Sequence, residues 1–474
     1  MRMTGKKTKS KINRYNDEPV SGHTLKSSAK KERILADARS VFTRHPYHKA
    51  SLRLICEQTG INHNLIRYHF GSKENLFDAL VSQLISEWET GITEFMAGTA
   101  NNKSKEHFPR FIEAFLAFGF AYPDGMKIIM QNTGERGSGS IHPGSALLMA
   151  LTDNVQTSII NNYSLKSTEK DLSMWVAGFV MAIVCVLGAE DSLRVVSGFE
   201  NDREHFRQHT EYFLTSSFYP TFQYLLTGKV ANVFDDIRIK PTKPGVFDIL
   251  VSGLTKNSDS PPVSKGEITR GKILSAARVV FSKNSYEVGT IRMIGNEGNL
   301  DFTLVRHYFV SKEILFNAVV EDLFNEFTRE ILLIYEGLDK MDSAMESHRL
   351  SSKRLIDHCF TSADALAVIM QNAARVGEMG LSLPGRDYIM KFITTTESIV
   401  HQLETLKAPE IEIMNFILLK SLILINGIGA ASFYSGFQTM VPDGDDYHAW
   451  IYDLYNFLIY PVYSNLIHKY GTDE

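Results

Sequence analysis

A short stretch near the N-terminus concentrates side chains that can contact nucleic acid. Between residues 59 and 77, apolar residues are interspersed with side chains that hydrogen-bond to base edges or phosphates. Those on one short predicted helix are Asn62, His63, Asn64, Arg67, Tyr68 and His69. Two flanking cations, Arg53 and Lys73, are further candidates. Lys73 stands at a predicted helix start, where a cation opposes the helix dipole, so its presence fits an approaching phosphate.

Some of these side chains also have a plainer interpretation. His69 lies near the predicted helix end and fits packing better than contact, and Arg67 could be a solvated charge. Because Arg67 returns as Arg306 in a second copy of the motif, contact is favoured for it. The chain shows no nucleophile elbow, phosphate-cradling loop or metal-ligand spacing, so we expect no catalysis, metal or cofactor.

Helices must hold these side chains, and their boundaries can be predicted. The apolar residues between Ile34 and Phe42 follow a helical period, and two short helices and a long one come after them. The predicted boundary residues are Pro46, Ser51, Gly60, Asn62, Gly71 and Ser72. Two short helices joined by a glycine-containing turn form a helix-turn-helix, whose second helix enters the major groove of DNA.

The motif occurs twice. Residues 34–77 align with residues 273–316 without a gap, at a constant offset of 239, and 17 of the 44 positions are identical. Further matches downstream, such as Ile129–Asn132 with Ile369–Asn372, predict that all of 27–228 was duplicated. The candidate contacts in the second copy are Arg292, Phe302, Thr303, Arg306, His307, Tyr308 and Lys312.

The segment Thr59–Phe77 resembles the signature of the TetR family of regulators: a glycine turn, a helix ending in Tyr68-His69-Phe70, then Ser72-Lys73-Glu74. The resemblance implies a three-helix DNA-binding domain and a helical C-terminal domain. That second domain binds a small-molecule inducer in the family and dimerises through its last two long helices. Those helices would cover about 170–191 and 203–227, then about 410–435 and 445–468.

The expected fold class is therefore all-α, with two tandem TetR-like units in one chain. Each unit would be a three-helix helix-turn-helix domain followed by a helical ligand-binding and dimerisation domain. The predicted segments are a basic flexible arm (1–26), the first helix-turn-helix domain (27–85), the first regulatory domain (86–228), a linker (229–263), the second helix-turn-helix domain (264–325) and the second regulatory domain (326–474).

The second copy has drifted in ways that bear on DNA. Gly60 becomes Asn299, which still tolerates a left-handed backbone, and Asn62 becomes Asp301, which caps a helix but repels phosphate. Residues 1–77 hold 16 Lys/Arg against 6 Asp/Glu, whereas residues 264–316 hold 8 against 5. We expect the second copy to bind DNA more weakly; the alternative is a remnant that only completes the dimer-like body.

The expected function is sequence-specific, double-stranded DNA binding by a transcriptional regulator. A ligand-responsive repressor acting as an intramolecular pseudo-dimer on an asymmetric operator is favoured. The alternatives are an activator, or an interaction protein whose second unit does not bind DNA. The chain would be a monomeric pseudo-dimer or a homodimer.

A small apolar ligand is the expected inducer. The phenylalanines of 108–120 would line its cavity or, as their mixed spacing favours, belong to the core. The longest apolar run, Trp175–Leu187, is too short for a membrane span. With no secretory signal recognised, we expect a cytoplasmic protein without membrane contact.

Overall fold

The structure is a computed structural model, and it is all-helical: no strand occurs in the residues it describes. Those residues are 22–96, 107–133, 144–196, 199, 201–229, 265–335, 344–373, 384–389, 409–431, 433–434, 440–441 and 444–470. Most of the predicted basic arm 1–26 lies outside them, as does the predicted linker 229–263 apart from its first residue. The absence of strands from the described residues confirms the predicted all-α class.

The N-terminal helices begin and end where local capping chemistry predicts. They are α1 (Gly22–Phe42), α2 (Leu52–Thr59), α3 (His63–Phe70) and α4 (Lys73–Met96). The Ser51 side chain accepts from Leu54 N and caps α2, and Asn62 caps α3 in the same way. Gly60 takes a φ of +71° in the turn between them, a left-handed conformation that glycine adopts without strain. Helix α1 begins at Gly22, so it overlaps the last residues of the segment 1–26 that is predicted as a basic arm.

A helical body follows each three-helix head. The first contains α5 (His107–Ala121), α6 (Pro123–Thr133), α7 (Ser145–Asn162), α8 (Glu169–Gly188), α9 (Glu190–Val196) and α10 (Arg203–Thr227). The second half repeats the head as α11 (Lys265–Lys283), α12 (Ile291–Gly298), α13 (Phe302–Tyr308) and α14 (Lys312–Tyr335). Its body contains α15 (Ala344–Thr361), α16 (Ala363–Ala373), α17 (Glu410–Leu424), a π-helical segment (Ile425–Gly429) and α18 (Asp445–Tyr470).

The two halves pack on each other through α8 and α10 of the first and α17 and α18 of the second. Gly178 lets α18 approach closely, because a Cβ there would collide with Leu458. A buried hydrogen bond joins Asn415 Nδ2 to Ser216 Oγ, and at the rim Lys170 pairs with Asp453 at 2.6 Å. These helices occupy nearly the positions predicted for dimerisation, but here they pair within one chain.

Two helices, Glu169–Gly188 and Ile411–Gly429, are long and apolar enough to cross a membrane. Most of each is buried within the protein, where both take part in the packing of the two halves. Their apolar composition is therefore accounted for as that of core helices.

Candidate DNA-binding site

Helix α3 presents the predicted contact residues on one exposed face. Ile66 and Phe70 are buried against the head, which fixes the rotation of the helix. Tyr68 is 80% exposed, so its ring and hydroxyl are accessible to a partner. The other predicted residues divide into the exposed set Asn62, His63, Asn64 and Arg67 and the half-buried His69. His69 therefore has a packing component, as its position near the helix end indicates.

Helix α13 presents a different surface in the second head. Asp301 caps it by accepting from Thr303 N at 2.6 Å, and the Thr303 hydroxyl also donates to this carboxylate. These hydrogen bonds, with the Thr303 hydroxyl first, lower the pKa of Asp301, which keeps a negative charge at the helix start. Arg306 and His307 are exposed, and Phe302 is 44% exposed. The Thr303 hydroxyl thus donates its proton to Asp301 and not to a base edge.

An aromatic pair is kept in both heads with its identities exchanged. Tyr68 and His69 meet edge to face at 5.0 Å between ring centroids, and His307 and Tyr308 do so at 5.6 Å. The outward position is tyrosine in the first head and histidine in the second, while the inward, half-buried position holds the other residue. The exchange keeps the packing and changes the group offered to DNA.

Lys73 and Lys312 make equivalent contacts inside their heads. Lys73 Nζ donates to Tyr47 O at 3.0 Å and lies 3.9 Å from the centroid of its ring. Lys312 Nζ donates to Tyr286 O at 2.9 Å and lies 4.3 Å from that ring. Both side chains are half-buried. Each lysine therefore ties the start of the fourth helix to the loop between the first and second helices of its head, and its contact with phosphate remains a prediction.

The two predicted arginines on α2 and α12 are both exposed. Arg53 is exposed and pairs with Glu57 at 2.7 Å on the same helix. Arg292, its equivalent, is exposed too. An exposed ion pair within one helix is weak, so Arg53 can exchange Glu57 for a phosphate at small cost.

The contacts that fix each head to its body were missed by sequence reasoning. Gln131 Nε2 at the end of α6 donates to Thr43 O, and Asn132 Oδ1 accepts from Tyr47 N at 3.0 Å. Gln371 Nε2 likewise donates to Ser282 O at 2.6 Å, and Asn372 Oδ1 accepts from Tyr286 N at 3.2 Å. The Met-Gln-Asn motif that recurs in both copies thus forms a head-to-body joint.

An arginine strengthens each joint. Arg39 pairs with Glu87 on α4 and with Asp124 on α6. Arg278 pairs with the equivalent Glu326 and Asp364. Each guanidinium therefore joins the first helix of a head to two helices that lead into the body.

One ion pair connects the two heads directly. Lys49 Nζ lies 3.0 Å from Glu287 Oε2, with both side chains about one-quarter exposed. The two residues occupy adjacent positions in the aligned loops, so the symmetric counterpart would need the pair His48 and Val288, which cannot form it. The contact between the heads is therefore asymmetric.

The phenylalanines considered for an apolar ligand cavity are packed against one another. Phe108, Phe111, Phe115 and Phe118 are buried, and neighbouring rings in this series lie about 6 Å apart, at 6.0, 5.8 and 5.9 Å. Phe120 is half-buried. This packing fits the core interpretation.

The geometry defines a helix-turn-helix DNA-binding domain in which α3, the second helix of the motif, is exposed. This domain is followed by a helical body. Residues 34–80 match the family described as bacterial regulatory proteins, tetR family. The first head is therefore a TetR-type DNA-binding domain. The matched residues include α2, α3 and the start of α4.

Curated relatives agree with this class. Over 80 residues the chain is 38% identical to the HTH-type transcriptional repressor AcnR of Corynebacterium glutamicum, covering 15% of this chain and 42% of that protein. It is 24% identical over 111 residues to the transcriptional activator FasR of Mycolicibacterium smegmatis, covering 23% and 50%. The regulator RutR of Escherichia coli is 34% identical over 68 residues, covering 14% and 32%.

The chain thus spans half or less of the length of these relatives. The matches support a TetR-family regulator that has DNA as its partner. The relatives include repressors and an activator, so the direction of regulation is not settled by them.

Proposed function

We propose that this chain is a sequence-specific transcriptional regulator whose two heads pair as an intramolecular pseudo-dimer on one operator. The observation that carries the proposal is the repeated joint. Both heads are tied to their bodies by the same glutamine, asparagine and arginine contacts, and the bodies pack on each other within one chain. This arrangement presents the exposed helices α3 and α13 from one chain.

The exposed residues of α3 and α13 are proposed to contact base edges. Arg67 and Arg306 are the long donors that occur at the same position in both heads, and arginine bonds most often to guanine. Lys73, Lys312, Arg53 and Arg292 are proposed to meet phosphates. Because the other outward residues differ, the preferred operator is asymmetric, as operator symmetry mirrors protein symmetry.

A ligand-responsive repressor is the specific role that we favour, acting in the cytoplasm. The support is the name of the relative AcnR as a repressor, together with joints that would transmit a change in the body to the head. Half-sites on one DNA face are about 34–36 Å apart, so a small change in head separation would cost one head its contacts.

A test separates this role from a protein that binds DNA by its first head alone. On an operator selected with the intact chain, Arg67→Ala and Arg306→Ala should each weaken binding by about 1–3 kcal/mol, measured by fluorescence anisotropy. Lys353→Ala, which removes an exposed lysine from α15, is the matched control and should have no effect. Full affinity for Arg306→Ala, with loss for Arg67→Ala, would show that the second head does not read DNA and would contradict the pseudo-dimer.

A further inference from the structure

The interiors of the two bodies can be compared through three rings that correspond in position. In the first body Phe108 lies 6.2 Å from Trp175 and 4.7 Å from Phe222, measured between ring centroids. In the second, His348 lies 6.0 Å from Phe416 and 3.9 Å from Tyr463. Each trio joins the same three helices of its body, so the two sets are equivalent. An imidazole and a phenol thus replace two phenylalanines.

The next turn of each helix increases this difference. Phe179 follows Trp175 by one turn and stacks on it at 4.9 Å, whereas Lys420 follows Phe416 by one turn, with Nζ 5.3 Å from the ring centroid. The large residues Phe111 and Ile112, which follow Phe108, have Ser351 and Ser352 as their counterparts after His348. The second interior therefore exchanges ring volume for small hydroxyl-bearing side chains and a cation.

Lys420 lies inside this second interior. It is 2% exposed, and among the residues that the structure describes no carboxylate pairs with it. Burial lowers its pKa to about 7, and the buried thiol of Cys359 acts in the opposite direction. Glu412, the buried carboxylate two turns earlier on α17, is bonded instead to Tyr470 Oη at 3.0 Å.

The buried imidazole stands in the same surroundings. Burial, and then the charge of Lys420, lower the pKa of His348 well below its usual value, and its Nε2 lies 3.4 Å from Ser352 Oγ. A fold gains no stability from an unpaired buried cation, because desolvation disfavours the charged form. An anion entering this interior would supply the missing charge.

We propose that the interior of the second body binds a small amphiphilic monocarboxylate, whose head group meets Lys420 and the Ser352–His348 pair and whose apolar part packs on Phe416 and Tyr463. One lysine balances one negative charge, which favours a carboxylate over a phosphate dianion. In the first body, among the residues that the structure describes, aromatic rings fill the equivalent space. This assignment rests on the proposed function, since it names the ligand class of a ligand-responsive regulator.

The site has a direct connection to the second head. Helix α17 continues into the π-helical segment, where a Cβ on Gly429 would lie 2.6 Å from Leu366 O of α16. Helix α16 ends in Gln371 and Asn372, which hold the second head. A shift of α17 on ligand binding is thereby passed to α16 and to that joint.

Two carboxylates and their uncharged isosteres test the site without DNA. Benzoate and hexanoate, but not benzamide or hexanol, should raise the melting temperature of the full chain at pH 7.5. Lys420→Met should reduce carboxylate affinity at least tenfold in calorimetric titration, and so should His348→Phe combined with Ser351→Phe, which rebuilds the first body's filling. The matched change Phe179→Met in the first body should leave carboxylate affinity unchanged.

Equal shifts by carboxylates and isosteres, or full carboxylate affinity in folded Lys420→Met, would overturn the proposal. The operator affinity is measured separately. If the carboxylates bind through Lys420 but operator affinity does not change, the site stands and its regulatory role falls. If they do not bind while both heads contact DNA, the site falls and the proposed DNA binding stands.

Discussion

The first body fills the space between α5, α8 and α10 with aromatic rings, whereas the second body places Lys420, His348 and two serines in the equivalent space. The joints to the heads, by contrast, are the same in both halves down to the pairing of glutamine with a backbone carbonyl. A joint must fit both a head and a body, so a change on either side is costly. An interior can change alone, which allows one body to remain structural while the other becomes a sensor.

The largest difference in the free energy of unfolding is expected when Phe179 and Lys420, the equivalent residues of α8 and α17, are replaced. Phe179→Ala removes a buried ring and should lower the free energy of unfolding by about 3–5 kcal/mol. Lys420→Met removes a buried unpaired amine and should raise it by about 2–4 kcal/mol at pH 7. Urea unfolding followed by circular dichroism measures both changes, and destabilisation by Lys420→Met would contradict the comparison.

The pH dependence of the Lys420→Met effect sharpens this test. The pKa of Lys420 is about 7 in the folded protein and about 10.5 when unfolded. Burying the charged form is therefore a full penalty below pH 7, and the penalty is lost as the pH rises from 7 towards 10.5. The gain from Lys420→Met should shrink over that range. A gain of equal size at pH 7 and pH 10 would show that the amine's charge is not the cause.

The joints should respond alike in both halves. Gln131→Ala and Gln371→Ala each remove a donor from a buried carbonyl, with an expected cost of about 1–3 kcal/mol in head docking. Hydrogen exchange at the loops 43–50 and 282–289 reports this loosening separately for each head. A large effect on one side only would mean that the shared contacts do not perform the same task.

The smallest effect is expected for the ion pair between the heads. A double-mutant cycle with Lys49→Ala and Glu287→Ala should give a coupling of about 0.2–1 kcal/mol, because both side chains are partly exposed. The coupling should decline as salt increases. A coupling of zero at low salt would show that this ion pair does not stabilise the contact between the heads.

Sequence reasoning succeeded where structure is decided locally. Ser51 and Asn62 cap helices through bonds to residues two or three positions away, and Gly60 takes the left-handed turn that its type permits. The start of α1 is harder to predict, because residues 22–33 lack an apolar period that would signal a helix. In this chain, capping residues therefore predict the ends of helices better than the apolar period does.

The joints and the buried lysine could not be found in this way. Asn132 meets Tyr47 across 85 positions of the chain, and polar residues at a helix end have many local explanations. Lys420 sits in an apolar run in which one lysine would ordinarily face solvent. Lys420 lies inside the body only because α17 packs against the helices that carry His348 and Tyr463.

Selection of bound sequences from a random duplex pool shows whether one chain reads DNA with two different heads. The outward residues differ between α3 and α13: Asn62 against Asp301, His63 against Phe302, Asn64 against Thr303, and Tyr68 against His307. Arg67 and Arg306 offer the same donor and could read a guanine in each half.

We expect two unequal half-sites, about one helical turn or a multiple of it apart. The half facing the second head should tolerate more substitution, because Asp301 keeps its negative charge beside the DNA. Recovery of a perfect inverted repeat, equally constrained on both sides, would contradict the account.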